Sequence, residues 1–384
     1  MVSKVQFKRR VLLLTTSEFG GIRSMTIDMA GALTRLRYDV SIAILKKGNT
    51  FSMSKREIPY DTYPAVSFSS LRQYYILFNT LFWDKHWKEH CKQFHAVIAV
   101  CGTPHIAYPL LSYGLPLFIW SAVTMEEDLK GRYYEFGYLK KLAYSLALPY
   151  IKYQERKVYK NSKHFWALSN YTLRSFKAST KNEHTSTLLP PIDLDLFKPA
   201  STEEREPIII FTGRYNDTRK NIPRLLGAFR KVLDLHPNAI LKLIGDEAEP
   251  RIVYLIKRLN IGRRVQLIKS QPREKLIDQY QNAQVFVIPS NQEGLCISGI
   301  EAMACGLPIV STRCGGPETY IRHGLNGLLS NGSEESIAKQ LVEILSNQSL
   351  RIKFGHAARK TVMQLFSIEL FDKKIEMILN QIPN

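Results

Sequence analysis

Residues 207–245 read PIIIFTGRYNDTRKNIPRLLGAFRKVLDLHPNAILKLIG, and the alternation within this stretch decides the fold class. The apolar, β-branched run at 207–213 predicts a strand buried on both faces. From 222 to 235 the apolar residues Leu225, Leu226, Phe229, Val232 and Leu233 recur at helical spacing. A second apolar run at 239–245 predicts another strand. Strand, helix and strand in this order make a βαβ unit with parallel strands.

The same alternation extends outward in both directions. Downstream, strands are expected at 264–268, 284–289 and 307–312, with helical periodicity over 275–281. Upstream, strands are expected at 11–16, 39–45, 96–100, 115–121 and 164–168. The pattern occurs twice, and the Pro-rich, non-periodic segment 189–199, followed by the charged run 201–206, marks a linker. Two α/β domains follow, 1–195 and 196–384, each a Rossmann-like, doubly wound parallel sheet, facing each other across a cleft. An amphipathic helix over 367–382 is expected to pack back on the first domain. In such sheets ligands bind outside the carboxyl ends of the strands, so the residues just after each strand come first.

Composition narrows the function classes. The chain has 384 residues, 45% hydrophobic, too apolar for disorder. Lys and Arg total 53 against 34 Asp and Glu, a net charge of +19, which points to an anionic partner. Five cysteines (Cys91, Cys101, Cys296, Cys305, Cys314) form no CxxC pair and are too scattered for a disulfide scaffold, so reduced, structural thiols are expected. The basic start MVSKVQFKRR is followed by an apolar run too short for a secretory signal, which suggests a first strand and a cytoplasmic location. Residues 97–125 contain no charged side chain, yet Gly102, Pro104, Pro109, Gly114 and Pro116 interrupt them. They parse as strand, turn, short helix, turn and strand rather than a membrane span.

Three places carry chemistry. Gly20-Gly21 stands between the first strand and a helix, where backbone amides approach a phosphate; it is not GxGxxG, and a nicotinamide dinucleotide is disfavoured. After strand 207–213 comes Gly213-Arg214-Tyr215-Asn216-Asp217-Thr218-Arg219-Lys220-Asn221, a run of cations suited to phosphate, or else a solvated basic loop. After strand 284–289 comes Glu293-Gly294-Leu295-Cys296-Ile297, with Glu301 eight residues past Glu293. Acids alone favour a helix N-terminus. That explains one glutamate, whereas amides at 294–297 cradling an anion while both acids hold hydroxyls explains the whole group.

Here the residues carry a resemblance. Ser290-Asn291-Gln292-Glu293-Gly294 with Glu301-Ala302-Met303-Ala304-Cys305-Gly306-Leu307-Pro308 resembles the E-x7-E signature of retaining GT-B glycosyltransferases, family GT4 (glycosyl transferases group 1). Gly213-Arg214 with Lys220 is similar to that family's diphosphate-binding cations, and Gly20-Gly21 to its N-terminal glycine loop. Cys314-Gly315-Gly316-Pro317-Glu318-Thr319 and Gly324-Leu325-Asn326-Gly327 resemble its trailing loops, and Asp193-Leu194-Asp195-Leu196-Phe197 its interdomain segment.

The resemblance implies a hexosyltransferase that takes a hexose, glucose favoured, from a nucleotide-sugar, UDP favoured. Its acceptor would be a glycan or lipid-linked molecule of exopolysaccharide or envelope glycan biosynthesis. Arg214 and Lys220 would neutralise the diphosphate, Glu293 with the following amides would hold the sugar, and Glu301 the ribose. The base would meet Lys269, Gln271 and Leu276. No cofactor and no metal are expected, and the DxD at Asp193-Leu194-Asp195 is read as a chance pattern in the linker. Two departures stand out: Cys296 replaces a glycine of the sugar loop, and the histidine usual after the fifth strand is missing from Ile119-Trp120-Ser121-Ala122-Val123-Thr124. Ser121 or Thr124 are substitutes, and His105 is another candidate at the reacting centre. A UDP-sugar 2-epimerase of the same fold and a catalytically degenerate, membrane-associated scaffold are the alternatives.

Residues 129–160 interleave eight Lys/Arg with eight aromatics, and 71–87 add more aromatics. This composition suits peripheral binding to an anionic membrane at the inner face of the plasma membrane, or an ordinary helix with solvated cations. No nucleic-acid module is present.

Overall fold

The computed structural model describes residues 9–15, 20–47, 52–57, 65–70, 85–132, 136–178, 181–200 and 205–381. Expected features at 16–19, 71–84, 133–135 and 201–204 lie outside the described residues. The chain divides into two compact units, Met1–Pro191 with Ile368–Asn384, and Ile192–Ser367. The boundary lies four residues before the expected one at 195.

The first unit holds an eight-stranded sheet of β1 (Arg10–Thr15), β2 (Asp39–Lys47), β3 (Ser52–Glu57), β4 (Ala65–Ser70), β5 (Ala96–Cys101), β6 (Leu117–Ser121), β7 (His164–Ala167) and β8 (Thr185–Thr187). Its order is β3-β4-β2-β1-β5-β6-β7-β8. The strands pair in parallel except β3, which runs antiparallel along β4 at the edge. Neither β3 nor β4 was expected from the pattern, since serines interrupt both (SMSKRE and AVSFSS). By contrast β1 and β5 are continuous apolar runs, and Leu13, Leu14, Ile98 and Ala99 are fully buried. The helices include α1 (Gly20–Arg35), α2 (Lys85–Cys91), α3 (Met125–Lys130), α4 (Tyr138–Asn161) and α5 (Asn170–Lys177). Between β5 and β6 runs a 3-10 helix, Pro104–Ser112, so the uncharged stretch 97–125 is strand, short helix and strand. Among the described residues no helix is long and apolar enough to cross a membrane.

The second unit holds β9 (Ile208–Gly213), β10 (Ile240–Gly245), β11 (Val265–Lys269), β12 (Val285–Ile288), β13 (Ile309–Thr312) and β14 (Gly327–Ser330). They are all parallel, in the order β11-β10-β9-β12-β13-β14. Around them lie α6 (Ile222–Val232), α7 (Pro250–Arg258), α8 (Arg273–Asn282), α9 (Ile297–Ala304), α10 (Glu334–Ser346) and α11 (Gln348–Leu365). The apolar stripe of α6 is the core contact: Leu225, Leu226, Phe229 and Val232 are fully buried with Ile209, Leu241 and Leu243. The helix starts where Asn221 adopts φ 46°, and the Asn221 side chain accepts the Arg224 amide at 3.3 Å. Asparagine is among the few side chains that tolerate this backbone.

The last helix, α12 (Ile368–Leu379), belongs to the first unit. Arg35 of α1 forks onto Asp372 at 2.6 and 2.8 Å, and Phe371 packs on the Trp120 ring at 5.3 Å between centroids.

Candidate active site

In the second unit the strand order reverses between β9 and β12, so the loops leaving their carboxyl ends stand side by side, the usual ligand position of such sheets. The first loop begins with a close approach. Gly213 and Gly245 pair across β9 and β10 with φ of 143° and 159°, and a Cβ on Gly245 would lie 1.9 Å from the Gly213 oxygen. Only glycine fits there. Further on, Asp217 accepts the Arg219 amide at 3.1 Å and forks its guanidinium at 3.2 and 2.8 Å. The turn Thr218–Lys220 that follows aims Lys220 back across the sheet.

Lys220 Nζ meets Glu293 Oε1 at 2.7 Å, and the Ser290 hydroxyl donates to the same oxygen at 2.6 Å. Both charged side chains are largely buried. Burial pulls the Lys220 pKa down, but the adjacent Glu293 carboxylate outweighs it and leaves the ammonium above its ordinary value. The two loops are fastened by backbone as well. The Asn291 amide donates to the Arg219 oxygen at 2.7 Å, and the Asn221 side-chain amide to Asn291 Oδ1 at 2.9 Å.

A third loop clamps the Glu293 segment from behind. The Glu293 amide donates to the Cys314 oxygen at 2.8 Å, and the Gly316 amide to the Glu293 oxygen at 2.9 Å. A Cβ on Gly316 would lie 2.4 Å from backbone atoms of Gly294 and Leu295. The Tyr320 hydroxyl donates to the Cys296 oxygen at 3.1 Å, over Gly299, whose Cβ would meet that hydroxyl at 2.7 Å. Cys296 itself has φ 68°, a glycine-like backbone, and is the residue from which α9 starts. The α9 N-terminus has no side-chain cap and no acid in its first turn. With Lys220 on the adjoining loop, this end of the helix favours an anion.

Glu301 lies one turn deeper in α9 and is buried. It accepts the Tyr280 hydroxyl at 3.3 Å, and Tyr280 is bonded to the Thr212 hydroxyl at 2.8 Å. Burial raises its pKa from 4.5 to about 7, against the opposing pull of Arg273 and of the tyrosine.

The structure therefore brings Lys220, Glu293, Gly294, Leu295, Cys296, Ile297 and Glu301 together at one end of one sheet, below Gly213. Arg214 is on the same loop but is 63% exposed, with Asp217 Oδ2 at 3.3 Å. Lys269 is exposed at the end of the edge strand β11, 3.5 Å from Glu247, and Gln271 and Leu276 are half-buried beyond it. Gly20, Gly21 and His105 belong to the other unit. They follow β1 and β5, neighbours at which that sheet reverses in turn. His105 is buried, its Nδ1 lies 3.1 Å from the Thr103 hydroxyl, and burial lowers its pKa to about 4. It is a neutral ring at physiological pH.

Other sequence features have structural explanations. Asp193 Oδ1 accepts the amides of Asp195 and Leu196 at 3.1 and 2.9 Å, a turn that accounts for the DxD spacing. The five cysteines are free, and burial raises the thiols of Cys91 and Cys305 to about 12 and of Cys296 to about 11, so none is an activated nucleophile. Linear spacing gave no sign of Tyr280 or Tyr320, because each reaches the site from a different element.

Residues 194–361 match the family described as glycosyl transferases group 1. The chain is 31% identical over 216 residues to a D-inositol 3-phosphate glycosyltransferase of Corynebacterium jeikeium, covering 50% of this chain and 51% of that protein. It is 28% identical over 240 residues to a GDP-mannose-dependent monoacylated alpha-(1-6)-phosphatidylinositol monomannoside mannosyltransferase of Corynebacterium glutamicum, covering 56% and 61%. The chain thus spans about half the length of the curated relatives it matches. In three dimensions it superposes on Anabaena Alr3699/HepE, solved in complex with UDP and glucose, with a TM-score of 0.75 at 17% identity over 97% of this chain and 99% of that one. The chain has the GT-B fold, two Rossmann-like units in one polypeptide, and its residues 194–361 are similar to the group 1 glycosyl transferases.

Proposed function

We propose that this chain is a retaining, metal-independent hexosyltransferase whose donor is a nucleoside-diphosphate sugar, UDP-glucose first among the candidates. Its acceptor is a glycan or lipid-linked molecule of exopolysaccharide or envelope glycan biosynthesis. The observation that carries the reading is the 2.7 Å pair of Lys220 and Glu293 beside the uncapped α9 N-terminus, at the strand-order reversal.

In the transfer, the acceptor oxygen bonds to the anomeric carbon as the bond from that carbon to the phosphate oxygen breaks, and the acceptor's proton passes to the departing diphosphate. Negative charge grows on the departing diphosphate. Lys220, Arg214 and the amides at 294–297 are preorganised to receive it, and such preorganised charge is the usual source of rate enhancement. These cations supply the neutralisation a divalent metal gives in other transferases. The glutamate holding Lys220 keeps the ammonium oriented and turns hydroxyl-accepting oxygens toward the sugar. Glu301 accepts the ribose hydroxyls, and Lys269, Gln271 and Leu276 frame the base. On the first unit, the Gly20-Gly21 amides suit a phosphate of the donor, and His105 is the candidate for the reacting centre.

The base and sugar are read from a ligand panel. HepE binds UDP and glucose, while the corynebacterial mannosyltransferase is GDP-mannose-dependent, so UDP-glucose, UDP-N-acetylglucosamine and GDP-mannose are the first members. A donor at 100 times its dissociation constant adds about 2.7 kcal/mol of stability, a clear thermal shift. Proton NMR of the product then gives the anomeric configuration, and a turnover assay with EDTA gives metal dependence. No shift with any nucleotide-sugar removes the reading. An inverted product or abolition by EDTA removes its retaining or metal-independent part. Release of free nucleoside diphosphate from a stabilising donor separates a transferase from a scaffold, and a 2-epimerised sugar identifies the epimerase.

A further inference from the structure

Helix α4 has an outward face unlike that of an ordinary surface helix. Leu139, Leu142, Leu146, Pro149 and Tyr153 recur at spacings of three and four, and at 100° per residue they fall within about an 80° arc. The core contacts Ala147, Ile151, Gln154, Glu155 and Val158 lie on the opposite side. The stripe is therefore solvent-facing: Leu139 is 79% exposed and Leu146 is 68% exposed, with Tyr138 at 80% ahead of them. The amphipathic pattern of this helix is doubled, one apolar face for the core and one without a partner in the described structure.

Charge surrounds the stripe. The helix carries Lys140, Lys141, Lys152, Arg156, Lys157 and Lys160, and its single carboxyl, Glu155, is buried and accepts the Met125 amide at 2.9 Å. Burial raises that carboxyl to about 8, so it brings no charge at neutral pH. The acids of neighbouring α3 are engaged: Glu126 with Lys152, Glu127 with Lys130, and Asp128 with Arg132. Lys140 sits over the Phe136 ring at 3.9 Å and Lys157 over Tyr153 at 5.5 Å, so aromatic and cationic groups share one surface. On the outward side Arg156, Lys157 and Lys160 continue the line of the stripe and are exposed.

We propose that the outward face of α4 is a membrane-docking surface: its leucines and tyrosines enter the headgroup region while its cations meet anionic lipid phosphates. A second copy of the chain is disfavoured as occupant, because an isologous contact would set these cations against themselves. An acidic bilayer accepts both features at once, apolar depth and surface charge. The surface is separate from the transfer chemistry, and its test does not depend on that chemistry.

The test is flotation of the full chain with vesicles of phosphatidylcholine alone, and with one-third phosphatidylglycerol, at rising salt. The chain is expected to float with the anionic vesicles only and to be released as salt screens the charge. Each cation near such a surface is worth about fivefold. The variant Arg156→Gln/Lys157→Gln/Lys160→Gln therefore loses about 100-fold in partitioning. Leu139→Ser/Leu142→Ser/Leu146→Ser loses roughly tenfold or more. These side chains are exposed, so both variants keep the parent melting temperature. Absence of flotation, equal flotation on neutral vesicles, or undiminished flotation of both variants overturns the proposal. So does a dimer in sedimentation that the leucine variant dissociates, which gives the stripe to a second copy.

Discussion

The two units share one wiring and differ in what they place at its reversal point. In the first, β1 lies between β2 and β5; in the second, β9 lies between β10 and β12. Each sheet thus offers a crevice where neighbouring loops diverge. The second fills it with a buried ammonium and carboxylate, fastened by side-chain and backbone bonds from three loops. The first brings two glycines and a neutral histidine bonded to a threonine. Topology supplies the place and side chains set its character, so one architecture puts a buried ion pair at one reversal point and an uncharged histidine at the other.

The sharpest way to break this contrast is Lys220→Ala. A charge-assisted bond to the departing phosphate is worth about 1.5–3 kcal/mol, so kcat/KM with the donor identified by thermal shift should fall about 10–150-fold, more if charge develops in a dry site. The structure adds a second consequence: Glu293 is left buried without its cation, which costs about 3 kcal/mol of stability. Lys220→Ala should therefore lose both rate and melting temperature, and assays belong well below its transition. Arg214→Ala, at an exposed side chain, should lose about tenfold in rate with an unchanged melting temperature. Full activity in both variants ends the assignment of charge to the second unit.

A smaller effect separates the units by pH. Glu301 is raised from 4.5 to about 7 by burial, so its neutral form adds stability that is complete below 4.5 and lost as pH rises through 7. Ribose hydroxyls donate to the ionised form, so donor binding releases a proton below pH 7. The dissociation constant should rise about tenfold per pH unit below 7 and stay flat above. Calorimetric binding from pH 5 to 8 reads this slope. Glu301→Gln should abolish it, and His105→Asn should leave it in place because that ring is already neutral through this range. An inflection that vanishes with His105 instead would move the titrating group to the first unit.

How much of this was legible in the sequence follows from what each feature depends on. Strands buried on both faces announce themselves as unbroken apolar runs, so β1, β5, β9 and β12 were readable. The polar edge strand β8 (TST) and the four-residue β14 (GLLS) lack that signal, and the serines of β3 and β4 hide them. At the site, the spacing of Glu293 and Glu301 is local to one loop and one helix turn, and it was readable. Of the three cations after β9, the resemblance singled out Arg214 and Lys220. The pairing of Lys220 with Glu293 crosses between residues that no spacing joins, and only the fold shows it and the fork of Asp217 onto Arg219. The donors of Tyr280 and Tyr320 arrive from α8 and from beyond β13, distances that no spacing rule spans.

The smallest effect concerns the residue that departs from the family pattern. Cys296 holds φ 68° where the resemblance leads one to expect glycine, and a side chain in this backbone region costs about 1–2 kcal/mol. Part of that strain is recovered, since the Tyr320 hydroxyl and the Gly299 amide both donate to the Cys296 oxygen, at 3.1 Å each, and hold the turn. Glycine would relieve the strain but also loosen the unfolded chain, an opposing term of about 0.5–1 kcal/mol. Cys296→Gly should thus stabilise the protein by about 0.5–1 kcal/mol, a rise of roughly 1–4 °C for a domain of this size. A melt resolves this, and a loss of stability would mean that the thiol packing beside Ser298, 3.6 Å away, outweighs the backbone. The same variant also sharpens the contrast between units. If it widens the range of donors accepted while acceptor preference stays fixed, the thiol acts within the donor loop of the second unit alone.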